Sequence, residues 1–235
     1  MTNSIQWSIL AGLGTVIGAL LIFAKKNWSS KSLAFYLGLA SGVMVAVVVF
    51  DILPSAFLFS GFIKVFAGVL LGVVFMTTGD LTFFRKTSGY QTLGGLGYLI
   101  MLGIAMHDLP EGMAIALGEE MKSRTGMVIA LGIGIHNVPE GMAIAAPLIM
   151  AGIKKTTIFM QILAVALITP LGTLLGKCLV SYLPSLLPLL LGMASGIMFY
   201  LVLFQLWPQA KLKDRKSRWW GFFIGMLVIL GATYL

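Results

Sequence analysis

His107-Asp108-Leu109-Pro110-Glu111-Gly112 and His136-Asn137-Val138-Pro139-Glu140-Gly141 are two versions of one hexapeptide, and together they hold both histidines of the chain. Each sets an imidazole four residues before a carboxylate, a spacing that puts both groups on one face of a helix. Asp108 and Asn137 add a carboxylate and an amide beside them. Pro110 and Pro139 lack an N–H and crowd the preceding turn, which frees the carbonyls of Met106 and Ile135. Gly112 and Gly141 remove bulk, so the two helices are expected to approach each other closely there. Imidazole plus carboxylate is a donor set for zinc and other first-row divalent ions, whereas the thiolates that favour Cu(I) are missing from a chain whose one cysteine is Cys178. An all-oxygen magnesium or calcium cage would not need two histidines. His107, Asp108, Glu111, His136, Asn137 and Glu140 are therefore the candidate metal ligands. Their three carboxylates carry up to −3, which one divalent ion largely neutralises.

These groups sit in apolar surroundings. The 235 residues are 59% hydrophobic and 10% charged, with a mean hydropathy of +1.00, against roughly a quarter charged in soluble domains. About 20 apolar residues span a bilayer. Eight such runs occur, near 5–24, 33–54, 61–80, 93–118, 125–150, 156–177, 185–208 and 218–235. Little is left outside them, so residues 1–235 form one polytopic domain in this reading. The net charge of +8 lies in the short connections, as expected beside an anionic membrane surface rather than on nucleic acid. Loops on one side hold twelve of the sixteen lysines and arginines, including Arg85 and Lys86. The positive-inside rule places that side in the cytoplasm and both termini outside. The first basic residue, Lys25, follows the first apolar run, unlike the charged start of a signal peptide. Ionisable groups at mid-bilayer cost at least ~2.5–3.5 kcal/mol each, so the groups in runs four and five need a compensating function.

The chain also repeats itself. Ala40-Ser41-Gly42-Val43-Met44 returns as Ala194-Ser195-Gly196-Ile197-Met198, and the match continues without a gap through Phe50 and Phe204 to Pro54 and Pro208. Over ten residues from His107 and from His136, the central motifs differ at two. Run two matches run seven, and run four matches run five; both offsets are odd, so matched units cross the bilayer in opposite directions. The expected fold is all-α, eight transmembrane helices in a three-two-three inverted repeat. Polar sites at the interface of such repeats, on proline-broken helices, are characteristic of transporters. Asp51 and its mate Gln205 each lie one turn before a proline. They are candidate ion-admitting and ion-releasing residues near opposite mouths, or else interfacial polar groups. Gly12-Leu13-Gly14 with Gly18 follows no strand and fits helix packing rather than a nucleotide loop. Glu119 and Glu120 are assigned to a solvated outer loop, and Thr169-Pro170 to a kink.

The paired His-[Asn/Asp]-x-Pro-Glu-Gly motifs resemble those of runs four and five in the ZIP (Zrt/Irt-like) metal transporters, and the resemblance extends over the whole chain. It implies import of Zn²⁺ and related ions across the plasma (inner) membrane, along a path lined by runs two, four, five and seven. A homodimer is the assembly considered. Family members often have Asn in place of Asp108, Glu in place of Thr169 and an acidic residue in place of Gln205, and many carry a His-rich loop where this chain has the short segment with Arg85 and Lys86. The expectation is a transporter, not an enzyme, with no cofactor beyond the transported divalent metal, zinc first. An intramembrane metalloprotease would want His-Glu-x-x-His, which is missing; a proton or cation channel is the other alternative. The chain has no P-loop sequence to suggest ATP drive.

Overall fold

In hydrocarbon each backbone N–H and C=O must be satisfied inside the protein, and an α-helix achieves that within one segment. The computed structural model describes residues 3–59, 62–84, 92–179 and 183–234, and every regular element among them is helical. In chain order these are α1 (Asn3–Ala24), α2 (Ser30–Val47), α3 (Leu53–Phe59), α4 (Phe62–Gly79), α5 (Leu93–Met121), α6 (Ser123–Met150), α7 (Lys155–Ala166), α8 (Ile168–Cys178), α9 (Leu183–Tyr200), α10 (Trp207–Lys213) and α11 (Arg215–Tyr234). Wider π-helical turns at Val48–Ile52 and Leu201–Leu206 join α2 to α3 and α9 to α10, and a third, Asp80–Phe84, extends α4. The result is eight rods at the eight apolar runs. Seven are long and apolar enough to cross a membrane; the eighth, α11, opens with Arg215, Lys216 and Arg218. Arg85 and Lys86 lie outside the described residues.

Local sequence fixes where rods start. The Ser29 and Thr92 hydroxyls accept the N–H groups of Ser32 and Gly95, each at 3.1 Å, and so cap α2 and α5. Two expectations about rod interiors need correction. Both α5 and α6 run unbroken through their prolines; departures from α geometry fall instead in the π-helical turns, where one extra residue is accommodated, and at Leu167. Moreover, α5 continues to Met121, so Glu119 and Glu120 belong to a helix rather than a loop. Glu119 is not simply solvated: its carboxylate accepts the Ser4 N–H at 3.0 Å and the Lys177 ammonium at 2.8 Å. The predicted kink in run six is present as the break at Leu167, and Pro170 stands in the first turn of α8, where a proline is tolerated.

Glycine decides which rods touch. A methyl group at Gly18 of α1 would overlap the Val138 carbonyl of α6, and one at Gly141 of α6 would overlap the Thr15 carbonyl of α1. The α5–α8 pair has the same construction, with Gly112 against the Thr169 carbonyl and Gly172 against that of Leu109. So do α2 with α11, through Gly42 and Gly221, and α4 with α9, through Gly68 and Gly192. The motif glycines therefore do not bring α5 and α6 together, as their position suggested; they back those helices onto α8 and α1. Close approach of α5 to α6 falls at their tight connection, where Gly118 lies against Gly126. Large side chains such as Leu37, Met44, Ile100, Ile104, Ile144 and Leu148 fill the interior, and Leu58, Phe62, Ile63 and Leu70 face outward, where lipid is the solvent.

Backbone contact leaves no room for a branched side chain. Gly141→Val should lower the thermal unfolding midpoint in detergent, by the equivalent of about 1–3 kcal/mol. Gly132→Ala, where nothing lies within 4 Å of the added atom, should leave it unchanged. Equal midpoints for the two variants would contradict the seam.

Candidate metal centre

His107 and Glu111 are one turn apart on α5, His136 and Glu140 one turn apart on α6, and all four are buried, as are Asp108 and Asn137. The histidine–glutamate contacts run between the helices rather than along them. His107 Nε2 lies 3.2 Å from Glu140 Oε1, and His136 Nε2 lies 3.2 Å from Glu111 Oε2. The motifs thus engage reciprocally, histidine of one to glutamate of the other. His107 Nδ1 is 3.0 Å from the Gly103 carbonyl. A carbonyl can only accept, so Nδ1 carries the hydrogen and neutral His107 has its lone pair on Nε2, which also lies 3.6 Å from Asp108 Oδ1. Lone-pair atoms this close in an apolar interior need a proton or a metal cation between them.

Donors for the remaining oxygens are scarce. Among the described residues, both oxygens of Asp108, Glu111 Oε1 and Glu140 Oε2 are buried with no protein hydrogen-bond partner. Among the described residues, only the two imidazoles make ion-pair contacts with these carboxylates. His107, Asp108 and Glu111 offer ligand atoms all within 4.8 Å of one another, a buried cluster that could hold a metal ion. A buried, donor-poor cluster with carboxylate oxygens to spare suits a divalent cation better than any neutral guest.

The other predicted residues are dispersed. Asn137 is turned toward α1, where its amide nitrogen donates to the Ala11 carbonyl at 3.1 Å; its Oδ1 is the atom left over. Asp51 stands exposed in the π-helical turn Val48–Ile52. Gln205, in the matching turn Leu201–Leu206, is buried and donates to Asp80 Oδ2 at 3.3 Å, and the Tyr200 hydroxyl donates to the same oxygen at 2.6 Å. Sequence reasoning missed Asp80, although an acidic residue closing an apolar run after Thr77 and Thr78 was a usable signal. It also missed Thr173, whose hydroxyl donates to the Gly112 carbonyl at 2.9 Å and ties α8 to the α5 motif. A single threonine among many gives no such signal.

Long apolar rods around a buried imidazole–carboxylate cluster define a multi-pass membrane protein that handles divalent metal ions. Comparison with known proteins agrees. Residues 85–233 match the family model described as ZIP zinc transporter. The chain is 30% identical to the zinc transporter ZTP29 of Arabidopsis thaliana over 260 aligned positions that cover 100% of this chain and 94% of that protein. It is 34% identical to the zinc transporter ZupT of Escherichia fergusonii over 65% of this chain and 64% of that one, and 35% identical to ZupT of Salmonella newport over the same shares. The chain belongs to the ZIP zinc transporter family. It is a divalent-metal transporter rather than an enzyme, which removes the metalloprotease alternative.

Proposed function

We propose that the chain carries zinc, ahead of other first-row divalent ions, toward the cytoplasm, through a centre formed by His107, Asp108, Glu111, His136, Asn137 and Glu140. The observation that carries this reading is the reciprocal pair of histidine–glutamate contacts at 3.2 Å with carboxylate oxygens left unpartnered around them. Zinc accepts imidazole nitrogen and carboxylate oxygen together. Asn137 would contribute Oδ1. The names of the relatives support zinc as the first ion to test.

The transport path follows from the repeat. We read the eight rods as a three-two-three inverted arrangement in a single domain, α1–α4 against α7–α11 with α5 and α6 at the centre. Three features support it. Matched π-helical turns carry Asp51 and Gln205; the motif glycines back onto matched carbonyls, Thr15 and Thr169; and the α2–α11 and α4–α9 pairs have alike glycine seams. Rods α1, α5, α6 and α8 would then move against α2, α4, α9 and α11, opening one mouth while closing the other. Asp51 would admit the ion and Gln205 release it. The cation asymmetry of the loops supports termini outside, in the plasma (inner) membrane. A homodimer fits this scheme without being required by it.

In proteoliposomes, Glu111→Ala and Glu140→Ala should each reduce zinc uptake by at least about tenfold with little loss of folded protein, because placing a carboxylate at mid-bilayer costs stability that one imidazole contact offsets only in part. Full uptake by both variants would rule out the assignment. Equilibrium zinc binding should weaken steeply from about pH 7 to pH 5, since ligation needs neutral imidazole and ionised carboxylate and added protons oppose both. Binding that stays flat over that range would remove His107 and His136 as ligands. For sidedness, Asp51→Cys and Gln205→Cys in a Cys178→Ser background should react with an impermeant thiol reagent from opposite faces. Bound zinc should shift the two rates in opposite senses, and labelling from one face only would refute the inverted path.

A further inference from the structure

Lys211-Leu212-Lys213-Asp214-Arg215-Lys216-Ser217-Arg218 gathers five cations and one carboxylate where α10 passes into α11. The carboxylate is engaged: Asp214 Oδ1 accepts the Ser217 N–H at 2.7 Å as the cap of α11. The Ser217 side chain, its N–H bond and then the charges of Lys31 and Lys216 hold the Asp214 carboxyl below its ordinary range. Lys31 opens α2, so the positive corner extends to a second rod. Arg218 turns inward and is buried, with its guanidinium 4.1 Å from the Trp207 ring centre and 5.5 Å from that of Trp219.

What α11 leaves outward is ordered by chemistry. Arg215 and Lys216 come first, then Trp219 and Trp220, then Phe223 and Ile224, then Leu227 and Val228, all exposed. At 1.5 Å per residue this stripe is roughly 20 Å long, cationic at one end, aromatic one turn on and aliphatic beyond. Its first part forms a surface groove of about 480 Å³ lined by Arg215, Lys216, Trp219, Trp220 and Phe223. The aromatic wall is held in place. Trp219 packs edge-on against Trp207 at 4.8 Å and stacks on Phe223 at 5.5 Å, with 19° between the ring planes.

We propose that this groove is a binding site for one anionic phospholipid. The phosphate lies on Arg215 and Lys216, the ester region on Trp219 and Trp220, and an acyl chain runs along Phe223 and Leu227. The order of chemistry along the stripe matches the order along such a lipid. A zwitterionic lipid would bring its own ammonium against the same cations. A free phosphate would leave the apolar two-thirds of the stripe unused. A second copy of this chain, related by a twofold axis, would set cations against cations. The proposal is independent of which ion the metal centre carries.

The test is tryptophan quenching in nanodiscs holding the full chain, with a small fraction of either brominated phosphatidylglycerol or brominated phosphatidylcholine. Each basic group near an anionic headgroup adds a factor of about five. The phosphatidylglycerol should therefore reach half-maximal quenching at a roughly 10–30-fold lower fraction. Arg215→Gln/Lys216→Gln should bring the two curves together with helix content unchanged, and Trp220→Phe should remove much of the lipid-dependent signal. The double variant Lys25→Gln/Lys26→Gln, on another loop, should keep the preference. Equal curves in the unmodified chain would overturn the proposal, as would a preference that survives the Arg215/Lys216 change. So would displacement of the brominated lipid by inorganic phosphate, which would mark a free-anion site, or insensitivity to both lipids, which would mark a face covered by another copy.

Discussion

Burying charge in hydrocarbon is the constraint to which the rest of the molecule answers. Asp108, Glu111 and Glu140 would each cost several kcal/mol alone at mid-bilayer, and the chain sets all three, with two imidazoles, between two antiparallel helices. Crossed histidine–glutamate contacts offset part of that cost and leave several carboxylate oxygens open. Carboxylate oxygens left over from internal pairing are what a carrier needs to receive a cation. Perfect internal pairing would bind the ion's competitors, the protein's own groups, too well to exchange them.

Holding such a site requires rods that neither drift nor flex locally, and bilayers offer no hydrophobic force to press them together. Glycine–carbonyl seams supply the alternative, contact at backbone distance over several turns. The seams at Gly112 and Gly141 are placed one residue beyond the glutamates, so the helices are clamped from behind while the carboxylates face the centre. Thr173 adds a hydrogen bond to the same turn of α5. The rod pairs are thus packed backbone to backbone, and the π-helical turns at Val48–Ile52 and Leu201–Leu206 are where a rod changes register instead.

Much of this was legible in the sequence, because bilayer solvation writes rod positions directly as apolar runs and because two histidines that open ten-residue motifs differing at only two positions are hard to produce by chance. What was not legible concerns partners across space. One-dimensional spacing couples His107 to Glu111, but helices packed antiparallel at this register bring Glu140 closer to Nε2 of His107. The motif glycines could be seen to need a close neighbour, yet nothing in the chain says which rod that is. Glu119 was assigned to a loop because a charged pair usually ends a span; its bonds to Ser4 and Lys177 depend on where α1 and α8 end. Asp80 escaped notice since its partners, Tyr200 and Gln205, lie 120 or more residues away.

Whether imidazole and carboxylate groups from both motifs hold the transported ion is measured most directly by zinc K-edge X-ray absorption on the purified, zinc-loaded protein. The spectrum should show a first shell of nitrogen and oxygen at about 2.0–2.2 Å, with the outer-shell scattering of about two imidazoles, falling to about one in His107→Ala. A zinc shell without imidazole scattering, or one with sulfur from Cys178 at about 2.3 Å, would contradict that assignment.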